Sequence, residues 1–496
     1  MAPRELDPLL PQNEPAPEIS GYGTKSYTSH LASPRQDAPP AYESASEDED
    51  NVESQSVAQR ALSSLAGIFT VVVFFAFIAL MLSPTSPTDM QPRPPAPPGH
   101  NKIEERVERI LRDTPLFDGH NDLAILIRGA YKNKIHDSAF KKGFEDGGLY
   151  GDVDLPRLRK GRAGGAFWSA FVVCPENASD DFSDAEYSGA VAHTLSQIDL
   201  LHRLQAQYPD DFTPAGSGVE DALKQFHKSK SMLSPISIEG LHQIPQSAPL
   251  STLRLYYLLG VRAATLTWNC HNAFADAALI WNVNETVVAP YHRGGLTSAG
   301  REVITEMNRL GMLVDLSHTS YWTQKAVLSN GTSAAPVIYS HSSAFTLCQH
   351  PRNVHDDILE LVKETKSLVM VNFSPGFISC SPPADSSQLP DFDEKNNTVH
   401  QVARHIVYIG EKIGYDYVGL GSDFDGMGDL TPRGLEGVDK YPNLIAELLV
   451  MGVSDEDARK VAGENLLRVW RKAEEVSARL QKEDHEGEDD VHGYDL

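Results

Sequence analysis

The chain of 496 residues has few cysteines and no excess of basic residues. Its four cysteines are too few for a disulfide-dense scaffold. Asp and Glu number 68 against 43 Lys and Arg, which argues against a nucleic-acid-binding protein, because phosphates are held by clustered basic side chains. The hydrophobic fraction of 41% and the charged fraction of 22% are typical of globular proteins and exclude a collagen, a fully disordered chain or a multi-span membrane protein.

Two common hydrolase motifs are also absent from the sequence. There is no Gly-x-Ser-x-Gly, the nucleophile elbow of many serine hydrolases. There is no His-Glu-x-x-His, which places two zinc ligands on one helix of many metalloproteases. Hydrolases of these two types are therefore not indicated.

Acidic residues are concentrated at both ends of the chain. Residues 1–60 contain 11 acidic and four basic residues, and residues 483–496 contain seven acidic residues and no Lys or Arg. We expect residues 1–60 and 476–496 to be solvated, disordered tails. In the first tail, Pro39-Pro40-Ala41-Tyr42 matches the Pro-Pro-x-Tyr pattern of WW-domain ligands; the alternative is a Pro-rich linker that binds nothing.

One long hydrophobic run follows the first tail. Residues 62–82 read LSSLAGIFTVVVFFAFIALML and contain no charged side chain. At about 1.5 Å per residue, a helix of this length spans the roughly 30 Å hydrocarbon core of a bilayer. The sequence therefore predicts a single transmembrane helix at 61–83 and a Pro-rich stalk at 84–103, with a buried core helix as the alternative.

The side of the membrane is predicted from N-glycosylation sequons. Basic residues such as Lys25 and Arg60 precede the run and Arg93 and Lys102 follow it, so the positive-inside rule does not decide. All sequons follow the run, and the one at Asn372 lies in an apolar stretch and is expected to be buried. We therefore expect a cytoplasmic N-terminus and a luminal or extracellular C-terminal domain. The sequons expected to be accessible are those at Asn177, Asn284, Asn330 and Asn396.

From about residue 104, short apolar runs alternate with helical patterns such as those at 297–310, 356–364 and 397–413. Continuous apolar runs suit strands that are buried on both faces. Eight such strands with intervening helices predict an α/β fold, a (β/α)8 TIM-like barrel at 104–475. The eight strand candidates are residues 114–119, 166–173, 235–238, 262–267, 313–317, 337–340, 368–373 and 417–422.

Polar side chains follow five of these strands at their C-terminal ends. In a parallel barrel these ends converge on one rim, so the side chains are expected to meet. Imidazole and carboxylate groups suit Zn²⁺ and similar metals, and the set exceeds what one open tetrahedral site needs. It predicts two divalent ions that share a bridging carboxylate. The residues are His120, Asp122, Glu239, His318, His341 and Asp423.

Six short segments also match a known family. They are FDGHNDL at 117–123, IEG at 238–240, VDLSH at 314–318, SHSSA at 340–344, RNV at 352–354 and GSDFDG at 421–426. On these motifs, the sequence from about 104 to 473 resembles the membrane (renal) dipeptidases, a dizinc branch of the amidohydrolase superfamily. The resemblance implies zinc-dependent hydrolysis of dipeptides by a hydroxide bridging two zinc ions; some members also open β-lactams.

The resemblance assigns a role to each candidate. Asp423 is implied as the acid/base that activates water and then protonates the leaving amine, and Arg352 as the partner of the substrate carboxylate. The family also implies a homodimer and two disulfides, Cys174 with Cys270 and Cys348 with Cys380. The implied metal ligands are His120 and Asp122 for one zinc, His318 and His341 for the other, and Glu239 between them.

Two features depart from the family pattern. Trp268 stands where members typically have a histidine that contacts the substrate carbonyl, and it is open whether the nearby His271 replaces it. Mammalian members carry a C-terminal lipid anchor, whereas residues 485–496 read HEGEDDVHGYDL and contain no hydrophobic tail. We therefore expect the N-terminal run to be the tether.

Three functional interpretations follow. The first is an active dizinc dipeptidase on the luminal or extracellular side of a membrane. The second is a related amidohydrolase acting on a β-lactam or modified peptide amide, which Trp268 favours. The third is a non-enzymatic surface protein that keeps the barrel for binding and recruits a WW-domain partner through its tail. The complete set of metal ligands argues against the third.

Overall fold

The computed structural model describes residues 100–282, 285–329, 331–383, 385, 387–428, 430–483 and 485–489. These residues form short buried strands connected mainly by helices. The strands are β1 (Leu116–Asn121), β2 (Ala163–Ser169), β3 (Ile236–Glu239), β4 (Val261–Thr265), β5 (Leu279–Asn282), β6 (Glu285–Val288), β7 (Leu313–Asp315), β8 (Ile338–Tyr339), β9 (Leu368–Val371), β10 (Cys380–Ser381), β11 (Asp391–Phe392) and β12 (Val418–Leu420).

The helices surround the sheet and run between its strands. A π-helical turn, Lys460–Glu464, joins the last two of them. They are α1 (His100–Asp113), α2 (Leu123–Tyr131), α3 (Ser138–Asp146), α4 (Leu155–Lys160), α5 (Asp184–Gln207), α6 (Val219–Ser229), α7 (Pro249–Leu258), α8 (Ser298–Leu310), α9 (Tyr321–Leu328), α10 (Asp356–Glu364), α11 (Pro375–Ile378), α12 (Val399–Ile413), α13 (Tyr441–Val450), α14 (Asp455–Arg459) and α15 (Asn465–Glu483).

Eight strands form one parallel sheet in the order β1-β2-β3-β4-β7-β8-β9-β12. The chain that follows β12 pairs with the end of β1: Asp122 donates its N–H to the carbonyl of Phe424 at 2.9 Å, and Asp423 donates to the carbonyl of His120 at 3.1 Å. The sheet thus closes almost completely at its C-terminal rim. This arrangement confirms the predicted TIM-like barrel, and each of the eight predicted strands overlaps an observed one.

Local sequence signals set the helix ends. Helix α8 begins after Thr297, whose Oγ1 accepts the N–H of Gly300 at 3.0 Å, and ends at Gly311, which has a φ of +83°. A hydroxyl N-cap and a left-handed glycine C-cap are the usual ends of a helix. The predicted helices at 297–310, 356–364 and 397–413 accordingly agree with α8, α10 and α12 to within two residues at either end.

A buried cluster seals the barrel at the end away from the closing rim. Trp470 of α15 is fully buried and its ring lies 6.3 Å from that of Phe117 and 6.1 Å from that of Phe167. The same cluster contains residues of six barrel strands, β1, β2, β4, β7, β8 and β9. Strands on opposite sides of a barrel share one cluster only through its interior. The last helix therefore packs against the side chains that fill the barrel.

Three features differ from the sequence predictions. The antiparallel pairs β5–β6 and β10–β11 were not expected. The predicted tail boundary at 476 is wrong, because α15 continues to Glu483 and buries Val476. Beyond it, the Asp489 carboxylate accepts the backbone N–H groups of Leu250 at 2.9 Å and Ser251 at 3.0 Å, at the start of α7.

Several predictions fall on residues that the structure does not describe. They concern the tail 1–60 with its Pro39–Tyr42 motif, the run at 61–83 and most of the stalk at 84–103. Among the described residues, no helix is long and apolar enough to cross a membrane. The transmembrane helix, the WW-domain ligand and the homodimer stay predictions.

Candidate active site

Five of the predicted metal ligands meet at the C-terminal rim of the barrel. His120 lies in β1, Glu239 ends β3, and the other three follow β1, β7 and β8 within three residues. Each of the five is 5% exposed or less: His120, Asp122, Glu239, His318 and His341. The structure therefore brings residues more than two hundred positions apart into one buried cluster.

Two glycines allow the strand ends to come so close. A Cβ on Gly119 would lie 2.2 Å from the carbonyl oxygen of Ser340, and one on Gly421 would lie 1.8 Å from the same atom. Any larger residue at either position would push the end of β8 away from β1 and β12. The close approach places the His120 and His341 rings 4.0 Å apart between centroids.

Glu239 lies between two sets of donors. Its Oε2 is 3.5 Å from Nε2 of His120, and its Oε1 is 2.8 Å from Nε2 of His318 and 3.4 Å from Nε2 of His341. Nε2 of His120 is in turn 3.1 Å from Oδ2 of Asp122. Two groups of three ligand atoms within 4.8 Å of one another share Glu239: His120, Asp122 and Glu239, and Glu239, His318 and His341.

Hydrogen bonds fix the histidine tautomers on the second side. His318 donates from Nδ1 to the amide oxygen of Asn269 at 2.9 Å. His341 donates from Nδ1 to Oγ of Ser340 at 2.8 Å, because that hydroxyl itself donates to Asp315 at 2.5 Å. Each Nε2 therefore carries a lone pair, and this orientation by an outer partner is typical of metal-binding histidines.

The resulting cluster of acceptors fits a divalent cation. Nε2 of His318 and Nε2 of His341 face each other at 2.9 Å, next to a carboxylate oxygen. Lone pairs so close repel unless a positive charge lies between them. Oδ1 of Asp122 is also buried and has no hydrogen-bond partner among the described residues. Imidazole nitrogen and carboxylate oxygen are donors that zinc accepts.

The charges of the cluster are strongly coupled. Burial would lower the pKa of His120, but the carboxylates of Asp122 and Glu239 outweigh it and raise that pKa well above its ordinary value. Burial raises the pKa of Glu239 to about 7. Burial, assisted by nearby positive groups, lowers the pKa of His318 and of His341 well below the usual range, so both imidazoles are neutral.

Asp423 follows β12 and faces the same cluster. One of its oxygens lies within 4.8 Å of ligand atoms of His120 and His341. Nδ2 of Asn372 donates to its Oδ2 at 3.1 Å, and burial raises its pKa to about 6. Its φ of +68° and the φ of +65° at His318 are left-handed, which is uncommon outside glycine and frequent at functional sites.

Arg352 is buried beside the cluster. It is 4% exposed, its Nη2 donates to the carbonyl of His341 at 3.4 Å, and its guanidinium lies 5.0 Å above the Phe377 ring. Its Nε has no partner among the described residues, and burial lowers its pKa to about 10. The group remains charged at neutral pH, so it can bind an anion at the site.

Two supporting aspartates were not predicted as functional residues. Asp118 and Asp315 each lie in a strand ahead of a histidine ligand and accept hydrogen bonds from a serine on the neighbouring strand end, Ser422 and Ser340 respectively. The spacing Asp-x-His and Asp-x-x-His was visible in the sequence. A carboxylate at such a position could equally have been a ligand, so the sequence did not separate the two roles. Asn269 and Asn372 gave no signal.

The remaining predicted residues are placed as follows. The structure pairs Cys174 with Cys270 and Cys348 with Cys380. Nδ1 of His271 accepts the N–H of Ala277 at 3.1 Å, its ring stacks on His292, and its Nε2 has no hydrogen-bond partner among the described residues. Among the sequon asparagines, Asn177 and Asn396 are exposed and Asn372 is fully buried. Asn284 and Asn330 lie outside the described residues.

The family model described as membrane dipeptidase, peptidase family M19, matches residues 104–484. The chain belongs to this family. The match confirms the resemblance found in the motifs, and it identifies the protein as a metallo-dipeptidase of the amidohydrolase type. The matched region extends beyond the predicted end at 473 and includes all of α15.

Curated relatives of this membrane dipeptidase family are similar over most of their length. Dipeptidase aclJ of Aspergillus oryzae is 48% identical over 375 residues, which is 75% of this chain and 82% of the relative. An uncharacterized dipeptidase of Schizosaccharomyces pombe is 42% identical over 393 residues, which is 78% of this chain and 88% of the relative.

Solved structures share the fold. A metallo peptidase from Rhodobacter sphaeroides, liganded with a phosphinate mimic of the dipeptide L-Ala-D-Ala, superposes with a TM-score of 0.59 at 25% identity and covers 73% of this chain and 99% of its own. The probable dipeptidase PvdM of Pseudomonas aeruginosa superposes with a TM-score of 0.63 at 23% identity and covers 76% and 99%.

Proposed function

We propose that the protein hydrolyses dipeptides with two zinc ions. The observation that carries the proposal is the position of Glu239, whose two carboxylate oxygens face two different sets of donor atoms. A bridging carboxylate between two sites is typical of dinuclear hydrolases. His120 and Asp122 would hold the first ion and His318 and His341 the second, and Glu239 would contribute to both sites.

Bound zinc would supply Lewis acidity at this position. Asp423 accepts a proton from the water whose oxygen adds to the scissile carbonyl carbon, and passes that proton to the amine nitrogen as the carbon–nitrogen bond breaks. Asn372 restrains the Asp423 carboxylate through Oδ2 and so keeps it in the position that this transfer requires. Arg352 binds the free carboxylate of the substrate.

Metal content and turnover of the full chain test this function together. We expect two zinc ions per chain by elemental analysis, and dipeptide hydrolysis that a chelator removes and zinc restores. Glu239→Gln should lose metal from both positions. The matched control is Glu306→Gln, a buried carboxyl that is 2% exposed, against 4% for Glu239, and pairs with Arg254 and Arg309 away from the site; this variant should keep both ions. A protein purified without metal and inactive after zinc addition would contradict the proposal.

We also propose that residues 62–82 hold the enzyme on a membrane with the catalytic domain on the luminal or extracellular side. The exposed sequons at Asn177 and Asn396 and the two disulfides support an oxidising, glycosylating compartment. Treatment of the expressed protein with an N-glycosidase should increase its gel mobility, and Asn177→Gln with Asn396→Gln should reduce that shift. Glycan-free protein recovered from a secretory cell would count against this orientation.

A related amidohydrolase acting on a β-lactam or modified peptide amide is the second candidate. Trp268 favours it, because an indole ring and not an imidazole lies beside His318, with 6.2 Å between the ring centroids. Rates on a β-lactam and on dipeptides should be compared in the wild type and in Trp268→His. Faster β-lactam than dipeptide turnover in the wild type would favour this second candidate.

A further inference from the structure

Three aromatic rings form a continuous surface next to the metal ligands. The Trp268 ring lies 4.9 Å from the Phe171 ring and 6.0 Å from the Trp281 ring, measured between centroids. The Trp268 ring also lies 6.2 Å from the His318 ring, measured between centroids. We call Phe171, Trp268 and Trp281 the aromatic wall.

Hydrogen bonds and a disulfide fix the position of the aromatic wall relative to the metal site. Trp268 is followed by Asn269, whose side chain fixes the tautomer of His318 and whose carbonyl accepts the N–H of Trp281 at 2.7 Å. The disulfide between Cys174 and Cys270 joins the segment after Phe171 to the segment after Trp268. The same short stretch of chain therefore positions a metal ligand and all three rings.

The wall also retains exposed apolar surface. Trp268 and Trp281 are partly exposed, whereas Phe171 is only 8% exposed and packs behind Trp268. Aromatic surface beside a catalytic centre is available to a substrate group, and covering it excludes water from the reacting atoms. The indole of Trp268 has one N–H donor but, unlike an imidazole, no nitrogen that takes up a proton near neutral pH, so most of its surface offers apolar contact.

We propose that the aromatic wall is the subsite for an aromatic or large apolar side chain of the dipeptide; this rests on the proposed function. Aromatic pairs and buried apolar groups favour such a side chain. An anionic side chain placed against the wall loses hydration and gains no partner from the ring faces, which carry partial negative charge. The enzyme therefore selects its substrates by side-chain character, in addition to the recognition of the free carboxylate by Arg352.

The test compares the zinc-loaded full chain on matched dipeptides. The series Phe-Gly, Leu-Gly, Ala-Gly and Asp-Gly varies the first side chain, and Gly-Phe, Gly-Leu, Gly-Ala and Gly-Asp vary the second. In one of the two series we expect kcat/KM for Phe to exceed that for Ala by roughly 10- to 100-fold, the range for burying one large apolar group, and Asp to be the poorest. Trp268→Ala should reduce the Phe-to-Ala ratio at least about tenfold, and Trp268→Phe should retain most of it.

The matched control is Trp322→Ala. Trp322 is 45% exposed, lies in α9 and contacts Tyr291 and Tyr321 but no residue of the wall, so its removal should leave the Phe-to-Ala ratio unchanged. Zinc content measured in each variant distinguishes loss of the wall from loss of the metal site, and it should stay equal to that of the wild type.

Two results would overturn the inference. One is a wild type that cuts alanine and phenylalanine dipeptides equally well in both series; the other is a Phe-to-Ala ratio that survives Trp268→Ala. If no dipeptide is cut, the proposed function fails first. Dissociation constants of the zinc-loaded protein for phosphinate dipeptide mimics with phenyl and methyl side chains then decide: a preference for phenyl that Trp268→Ala removes supports the wall, and equal binding refutes it.

Discussion

Asp118 and Asp315 lie on different sides of the site and use the same set of contacts. Each carboxylate accepts the backbone N–H two residues ahead, the backbone N–H and hydroxyl of one serine, and a hydroxyl from a third element. For Asp118 the third group is Tyr441 at 2.6 Å, and for Asp315 it is Thr265 at 2.7 Å. Four hydrogen bonds satisfy each buried carboxylate fully, which explains why both can lie in a barrel strand.

The two aspartates differ in the second hydrogen bond that each bonded serine makes. On the β7–β8 side, Ser340 accepts a hydrogen bond from the imidazole of His341, so Asp315 acts on a metal ligand. On the β12–β1 side, Ser422 accepts the N–H of Phe424, so Asp118 acts on the backbone that carries Asp423. The same set of hydrogen bonds therefore orients His341, a proposed zinc ligand, on one side and positions Asp423, the proposed acid/base, on the other.

The largest effect on turnover is expected from a change at Asp423, on the β12–β1 side. Asp423→Asn keeps the shape and the contact to Asn372 but removes the proton acceptor, and kcat should fall about 10²- to 10⁴-fold. Zinc content by elemental analysis should stay at the wild-type value, since Asp423 is not one of the five assigned ligands. Normal turnover by this variant would remove Asp423 from its assigned role.

Removal of the Asp118 carboxylate and removal of the Asp315 carboxylate should lower the free energy of unfolding by nearly the same amount. Asp118→Ala and Asp315→Ala each leave two hydroxyls and two backbone N–H groups without their acceptor, and we expect each to lower the free energy of unfolding by about 3–5 kcal/mol. Urea titration followed by circular dichroism measures this. A loss at one position several times larger than at the other would show that the two networks are not equivalent.

Alanine substitutions of Ser340 and Ser422 should affect different properties, zinc affinity in the first and stability in the second. Ser340→Ala frees Nδ1 of His341, and zinc affinity measured by chelator competition should drop roughly 10- to 100-fold, as for other outer partners of ligating histidines. Ser422→Ala should leave zinc affinity near the wild-type value and instead lower unfolding free energy by about 1–2 kcal/mol. Equal loss of zinc affinity in both variants would contradict the division of roles.

The smallest effect is expected at Asp489, a carboxylate that is partly exposed at the surface. Asp489 accepts two N–H groups at the start of α7 much as an N-cap does, and Asp489→Ala should lower unfolding free energy by about 1 kcal/mol without changing zinc affinity or turnover. Thermal unfolding and zinc titration of this variant measure both. A drop as large as that for Asp118→Ala would mean that burial does not set the value of these contacts.

Much of this organisation could be predicted, because it is encoded locally. The barrel strands are continuous apolar runs, and the ligands His120, Glu239 and His341 stand at their ends where parallel topology makes them meet. The hairpin β5–β6 could not be predicted, since its four-residue strands are half-exposed and have no clear periodicity. The barrel domain extends beyond the predicted end at 475, because the acidic composition of the last residues hides the apolar positions in the last turns of α15.

The roles of Asp118 and Asp315 could not be predicted for a different reason. The sequence pattern of an aspartate near a histidine is the same whether the carboxylate binds a cation or accepts a hydrogen bond from a serine on the adjacent strand. Only the three-dimensional register, which places Ser422 against Asp118 and Ser340 against Asp315, separates these cases. Long-range pairing of this kind has no local signature.

The closing contact between Asn121 and Phe424, together with Trp470 in the barrel base, has a consequence for biosynthesis. The first ligand strand leaves the ribosome about three hundred residues before the strand that completes the rim and the helix that seals the base. Domains fold as units, so the nascent chain holds its imidazoles apart until translation is nearly finished. We therefore expect the proposed zinc site to assemble late, and a truncated polypeptide that lacks the final helix to bind zinc poorly.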